Sequence, residues 1–183
     1  MKTIKNILLM VTVVSSLSYS TVIEDAEDGT TNGWIASAGA TVSNIYDADA
    51  DSKVIKLSSS SYKYYKMKNL DISAKKIKWD IKADSGFIAY VYTMTTDGVR
   101  LFYYTISNID KGPTGSGIHH GLSADKRDGT WHTIERDLEA ELQEFEPNNN
   151  ILKIMTFRIR STGDVFVDNI ESCDVEILNP FPM

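Results

Sequence analysis

The sequence predicts an all-β fold, a sandwich of two sheets with one short helix near residues 137–145. Three observations lead to this class. Short runs along most of the chain alternate between apolar and polar residues, a pattern typical of half-buried strands. Turn residues such as Asp97-Gly98 separate these runs. Only one segment has helical periodicity, so strands and helices do not alternate as they do in α/β folds.

The strand predictions rest mainly on alternation. In residues 77–82 every second side chain is apolar, so Ile77, Trp79 and Ile81 share a buried face. In residues 155–160 the same alternation directs Phe157 inward and two arginines outward. The other predicted strands cover residues 87–95, 100–106 and 165–170, with weaker patterns at 40–44, 53–58, 62–67 and 131–134.

The helix is predicted over residues 137–145, where Leu138, Leu142 and Phe145 recur on one face. Asp137 is its expected N-cap, and a proline-asparagine segment ends it. Glycine-rich residues 110–128 are predicted as the longest loop, and loops of that length are often functional. A chain of this length fits a jelly roll better than an immunoglobulin-like sandwich, which has about 100 residues.

Residues 1–20 have the three parts of a secretory signal peptide. Lys2 and Lys5 precede a largely apolar run over residues 7–14, and Ser18 and Ser20 supply small residues at a cleavage site. The run is too short to span a bilayer, which takes about 20 residues, and no later stretch is apolar enough. We therefore expect cleavage near Ser20, one jelly-roll domain over residues 21–183, and a secreted, periplasmic or cell-surface location. The alternative is an N-terminal anchor helix.

Charge and cysteine content exclude several classes of function. The formal net charge is −6, and without residues 1–20 it becomes −8, from 17 basic and 25 acidic residues. This balance argues against nucleic acid as a partner, because such binding depends on neutralising phosphates. Cys173 is the single cysteine, so the chain can form neither an internal disulfide nor a cysteine-rich zinc site.

Two short motifs stand at the ends of the predicted domain. Residues 23–29 read Ile-Glu-Asp-Ala-Glu-Asp-Gly, with Gly33-Trp34 following, and residues 164–170 read Asp-Val-Phe-Val-Asp-Asn-Ile. This pairing resembles the jelly-roll, galactose-binding-like carbohydrate-binding modules of secreted bacterial proteins. The resemblance implies polysaccharide binding. It also implies that the first and last strands lie side by side, and that a carboxylate from each holds a structural calcium ion together with backbone carbonyls.

The N-terminal acids suit calcium on chemical grounds as well. Calcium takes six to eight oxygen ligands, mostly carboxylates and carbonyls. Four acids within residues 24–28 repel one another unless a cation or a basic group lies nearby. We predict Asp25, Glu27 and Asp168 as the calcium ligands. The alternative is a solvated acidic turn before the first strand.

The candidate ligand-binding side chains are tyrosines, histidines and arginines between residues 90 and 160. Tyrosine combines a flat apolar ring with a polar tip, and arginine binds carboxylate or sulfate in a bidentate fork. Adjacent histidines in a glycine-rich segment can hydrogen-bond a ligand. An outward row of arginines on a net-acidic protein indicates an anionic polysaccharide, such as a polyuronate. The predicted ligand-binding residues are Tyr90, Tyr92, Arg100, Tyr104, His119, His120, Arg158 and Arg160.

Alternatives stay open for these residues and for the function. Each tyrosine could belong to the core, and each arginine could pair with one of the many acids. A cleft lined by Arg100, Tyr104, His119 and Arg158 would favour a glycan ligand. We favour a binding module over an enzyme, and the second hypothesis is a jelly-roll lyase that uses Tyr, His and Arg on a uronate polymer. A third hypothesis is a structural or adhesive cell-surface protein that binds protein, which a flat, apolar exposed patch would favour.

Overall fold

The computed structural model describes residues 17–67 and 70–176. Most of the predicted signal peptide, residues 1–16, lies outside the described residues. Within the described part of the chain, no helix is long and apolar enough to cross a membrane. The described strands are β1 (Leu17–Glu24), β2 (Trp34–Ala36), β3 (Thr41–Asp47), β4 (Ser52–Ser58), β5 (Lys63–Met67), β6 (Lys76–Ala83), β7 (Phe87–Thr95), β8 (Gly98–Thr105), β9 (Gly112–Thr114), β10 (Gly117–Gly121), β11 (Trp131–Asp137), β12 (Ile151–Ser161) and β13 (Val165–Glu176).

These strands form two packed sheets, which confirms the predicted all-β sandwich of the jelly-roll type. The first sheet has six strands in the order β11-β6-β13-β4-β3, with β1 also pairing with β13. The second sheet has seven strands in the order β2-β5-β12-β7-β8-β10-β9. The pairing of β1 with β13 places the first and last described strands side by side, as the resemblance implies.

The core lies between the two sheets and follows the predicted alternation. Ile77, Trp79 and Ile81 of β6 are fully buried, and so is Phe157 of β12. The Trp79 ring, from the first sheet, lies 5.4 Å from Phe157 and 5.7 Å from Tyr104 of the second sheet, measured between ring centroids. Aromatic pairs at these distances join the two layers and bury a large apolar area.

The helix α1 is shorter than predicted and covers Leu138–Gln143. The Asp137 carboxylate caps it by accepting a hydrogen bond from the Ala140 backbone N–H at 3.0 Å. Leu138 and Leu142 are buried, and Phe145 packs against the core from beyond the last turn. The predicted face of the helix is therefore confirmed.

Residues 110–128 are not the long loop that we predicted. They contain β9, β10 and a short 3₁₀ helix over Ala124–Arg127. Strand β10 pairs with β8 in the parallel direction, unlike the other described strand pairs. Gly117 permits this close approach, because a Cβ atom there would lie 2.7 Å from Cε2 of Tyr103. Gly117 therefore serves strand pairing here. Our prediction treated the glycines of this segment as loop residues and so missed the strands.

Candidate functional site

The outer face of the seven-stranded sheet carries the main cluster of aromatic and cationic side chains. Alternation directs the neighbours of these residues, such as Ala89, Phe102 and Phe157, into the core. The side chains between them must then point outward. The outward cluster consists of Tyr64 and Lys66 on β5, Arg158 and Arg160 on β12, Tyr90 and Tyr92 on β7, Tyr103 on β8 and His119 on β10.

Strand register aligns five of these residues in one row across the sheet. Lys66 lies opposite Arg158, Arg158 opposite Tyr90, Tyr90 opposite Tyr103, and Tyr103 opposite His119. Adjacent strands are about 4.8 Å apart, so the row extends for roughly 19 Å. We call this the lateral row.

The aromatic part of the lateral row is tightly packed. The Tyr90 ring meets Tyr103 edge to face at a centroid distance of 5.0 Å, and Tyr64 approaches Tyr90 at 6.2 Å. The Tyr103 and His119 rings stack at 4.2 Å. Tyr90 is only 5% exposed, and burial raises the pKa of its hydroxyl to about 12. The hydroxyl therefore stays protonated and can donate a hydrogen bond at neutral pH.

Two arginines lie over tyrosine rings: Arg158, which belongs to the lateral row, and Arg160, which lies beside it. The guanidinium carbon of Arg158 is 4.3 Å from the Tyr92 ring centroid, and its Nη1 donates to the Tyr92 hydroxyl at 3.1 Å. The guanidinium carbon of Arg160 lies 4.4 Å from the ring centroid of Tyr62 and 5.5 Å from that of Tyr64. Cation–π contacts of this kind fix the orientation of the guanidinium groups.

Neither arginine has an acidic partner among the side chains that the structure describes. The buried Nε atoms of Arg158 and Arg160 also have no hydrogen-bond acceptor there. By contrast, Arg100 is paired with Glu146, and Arg136 is paired with Glu141. The outer face therefore holds cationic groups whose charge is not neutralised by the described part of the chain.

A pocket of about 220 Å³ lies at the cationic end of the lateral row. Its position between β2, β5 and β12 places it at one edge of the sheet. Two of its side chains, Ile35 and Tyr64, are 43% and 45% exposed, so the pocket opens to solvent. The residues that line it are Ile35, Ala36, Ser37, Tyr64, Lys66 and Arg158.

The structure brings together five of the eight predicted ligand-binding residues. Tyr90, Tyr92, His119, Arg158 and Arg160 share the outer face described above. The other three lie on the opposite side of their strands, so the expected cleft of Arg100, Tyr104, His119 and Arg158 is not formed.

The contacts of the remaining three residues explain their placement. Arg100 makes a bidentate pair with Glu146, with Nε and Nη2 at 2.7 and 2.6 Å from the carboxylate oxygens. Tyr104 is fully buried and donates to Glu141 at 2.6 Å. His120 is 4% exposed, and its Nε2 lies 3.4 Å from the same carboxylate. These three residues fill the space between the sheet and helix α1.

Sequence reasoning missed three residues of the outer face: Tyr62, Tyr64 and Lys66. All three belong to the segment that we predicted only as a weak strand, residues 62–67. Burial of Tyr65 and Met67 sets the alternation there, so Tyr64 and Lys66 face outward. An alternation count over this segment would have found Tyr64 and Lys66.

The predicted calcium ligands lie on the other side of the molecule, around the first sheet. Asp168 is 3% exposed, and burial raises its pKa to about 6, with further contributions from the negative charges of Asp80, Glu27 and Asp25. Glu27 accepts hydrogen bonds from the Ser52 hydroxyl and the Lys53 backbone N–H, at 2.8 and 3.2 Å. Within the described ranges, no group of three or more His, Cys, Asp or Glu side chains is arranged as a set of metal ligands.

Comparisons with known proteins identify the fold. No protein-family model matches the chain, and no curated protein matches it by sequence. A solved family 29 carbohydrate-binding module aligns with a TM-score of 0.51 and 12% identity, over 86% of this chain and 89% of that one. A variant of a family 29 module in complex with mannohexaose aligns with a TM-score of 0.51 and 13% identity, over 86% and 92% of the two chains.

A family 11 module from a cellulosomal cellulase of Clostridium thermocellum aligns with a TM-score of 0.49 and 18% identity, over 88% of this chain and 95% of that one. From the family 29 structures we conclude that the chain has the jelly-roll β-sandwich fold of carbohydrate-binding modules.

Proposed function

We propose that this protein binds a polysaccharide on the outer face of its seven-stranded sheet, and that the polysaccharide is anionic. The observation that carries the proposal is the pair Arg158 and Arg160, held over tyrosine rings without an acidic partner in the described chain. Partly buried guanidinium groups are costly unless an anion neutralises them. A carboxylate or sulfate on a glycan would supply that anion, and the guanidinium fork suits its geometry.

The tyrosines complete a surface suited to sugars. Tyr64 is 45% exposed and presents a ring for the C–H face of a pyranose unit. Tyr103 is half-buried and stacked on His119, so the pair offers a sugar the parts of the two rings that remain exposed. The lateral row is roughly 19 Å long, so it offers contacts to several consecutive sugar residues. A glycan lying across the strands would contact both the cationic and the aromatic parts.

A polysaccharide array tests this proposal. The protein is incubated with neutral, uronate-containing and sulfated glycans at two salt concentrations. We expect binding to acidic glycans that weakens with salt, since exposed charges are screened over a Debye length of about 8 Å at physiological ionic strength. The paired change R158Q and R160Q should abolish binding. The control R127Q removes the same type of charge from the exposed 3₁₀ helix and should leave binding unchanged.

The other outcomes of the array experiment are equally informative. Absence of binding to any glycan, with the protein folded, overturns the proposal and leaves a protein partner as the next hypothesis. Release of unsaturated uronates, detected by ultraviolet absorbance, would identify a lyase in place of a binding module.

We also propose that a structural calcium ion binds near Asp25, Glu27 and Asp168. The support is the carboxyl of Asp168, which is buried close to three other acids, an arrangement that a divalent cation would stabilise. Side chains alone do not form a complete site there, so backbone carbonyls or small shifts of the acidic segment would have to complete it. Calorimetric titration with calcium, with D168N as the control, tests the idea. Heat of binding that is absent in the variant supports it, and no heat in either protein overturns it.

Finally, we propose export through the signal peptide over residues 1–20. Strand β1 begins at Leu17, so cleavage near Ser20 would remove its first four residues and leave Thr21–Glu24 paired with β13. Mass spectrometry of the protein recovered outside the cytoplasm gives the N-terminus directly. A mature chain that starts near Thr21 supports the proposal, and an intact Met1 overturns it.

A further inference from the structure

The charges on the outer face are confined to one end of the lateral row. The cations Lys66, Arg158 and Arg160 lie on the adjacent strands β5 and β12. Strands β7, β8 and β10 place tyrosines, aliphatic side chains, a threonine and His119 on this face. The binding surface therefore has a cationic end and an aromatic end.

The aromatic side chains at this end are neutral. Partial burial, with Lys111 and His120 nearby, lowers the pKa of His119, which keeps the ring neutral at physiological pH. The exposed Lys111, next to Asp110 in the chain, lies outside the outward cluster. Stacking on Tyr103 makes the two rings one continuous neutral pair.

The spacing of the strands matches the size of sugar residues. Each strand interval of about 4.8 Å is close to the length of one pyranose unit in an extended glycan. A sugar in the pocket beside Lys66 and Arg158 would therefore be followed by neighbours over Tyr90, Tyr103 and His119. Along one bound glycan, the contacts with the protein would then change from ionic to apolar within a few sugar residues.

This asymmetry selects among glycans. A chain with a carboxylate on every sugar would place charges against Tyr103 and His119, where partial desolvation costs free energy and the outward cluster supplies no lysine or arginine. A fully neutral chain would leave Arg158 and Lys66 without an anion. We propose that the preferred ligand is a heteroglycan in which one uronate residue is flanked by neutral sugars, and that the uronate carboxylate binds in the pocket between Lys66 and Arg158. This inference rests on the proposed function of the outer face.

The test uses matched polysaccharides at physiological salt. The pairs are xylan with glucuronoxylan, and a neutral arabinogalactan with its glucuronate-bearing form, with polygalacturonate and alginate as fully acidic polymers. We expect the sparsely acidic member of a pair to bind about tenfold more tightly than its neutral partner, and the fully acidic polymers to bind no better than that member.

Single substitutions test whether the pocket causes the preference for the sparsely acidic glycan. K66Q should remove the preference, so that the acidic and neutral members of a pair bind with similar affinity. The control K153Q changes the same charge on β12 outside the pocket, where Lys153 pairs with Asp71, and should behave as the wild type. The inference is overturned if neutral and acidic members bind equally, if the fully acidic polymers bind best, or if K66Q has no effect. In those three cases glycan binding itself stands, whereas no binding to any polymer removes the proposed function as well.

Discussion

The rings of Tyr103 and His119 stack face to face, with centroids 4.2 Å apart and planes tilted by only 4°. The two residues are direct partners in the parallel pairing of β8 with β10. The stacked pair forms the neutral end of the lateral row. Strand pairing therefore creates this part of the proposed binding surface, and disturbing either ring should disturb binding.

We expect Y103A to reduce glycan affinity about tenfold or more. The substitution removes the ring that contacts both Tyr90 and His119, so the aromatic end of the surface loses its centre. Affinity is measured by calorimetry with the polysaccharide that binds best on the array. Y46A is the control, because Tyr46 is 62% exposed on β3 of the other sheet and should not affect binding. Equal affinity of Y103A and wild type would contradict the role of this ring.

Gly117 provides an independent test of the same ring. In G117A the new Cβ atom would approach Cε2 of Tyr103 to 2.7 Å, so the ring must move. We expect weaker glycan binding with a modest loss of melting temperature. G86A is the control, since its Cβ atom would meet nothing closer than the Tyr62 hydroxyl at 3.9 Å. A G117A protein that binds with full affinity would show that the position of the Tyr103 ring is not critical.

The sequence predicts the outward-facing side chains well for some strands of this surface and poorly for others. In residues 155–160 apolar and polar residues alternate without exception, so the outward direction of Arg158 and Arg160 could be predicted. In residues 100–106 both faces carry aromatic residues, and the pattern cannot decide whether Tyr103 or Tyr104 points outward. Burial of Tyr104 against Glu141 settles this, and that contact joins residues far apart in the chain.

The position of His119 was harder to predict for a different reason. Its strand is short, contains glycine at both ends and pairs in parallel with β8, so local sequence gives little indication of a strand. Parallel pairing depends on contacts between distant segments, which alternation within one segment does not report. The sequence therefore indicated which residue types form the candidate site, and the pairing of β8 with β10 determined which of them meet.

The cluster around Glu141 should contribute to stability and not to binding. Its carboxylate accepts a hydrogen bond from buried Tyr104, pairs with Arg136 and lies near His120. E141A leaves these groups without their acceptor, and we expect it to lower the free energy of unfolding by about 3 kcal/mol. Urea denaturation measures the loss. The conservative E141Q should recover part of it, and glycan affinity of the folded fraction should not change. A loss of affinity at full stability would instead place this cluster in the binding site.

Asp168 should make stability depend on pH in calcium-free buffer. Burial raises the pKa of its carboxyl in the folded protein to about 6, above its value of about 4 in the unfolded chain. The folded state therefore holds this proton more tightly. The resulting stabilisation is fully present below pH of about 4 and is lost as the pH rises through about 6. The shift corresponds to at most about 3 kcal/mol.

D168N isolates this contribution, because the amide cannot ionise. We expect the difference in free energy of unfolding between wild type and D168N to change across the same pH window, and to be constant above it. Added calcium should favour the ionised carboxylate, so it should raise the stability of the wild type most at the upper end of the window and leave D168N unchanged. If the wild type loses stability with rising pH but does not respond to calcium, the raised pKa of Asp168 is supported and its role as a calcium ligand is excluded. A difference that stays flat with pH would show that Asp168 ionises normally, and the electrostatic argument for a cation at this position would then fail.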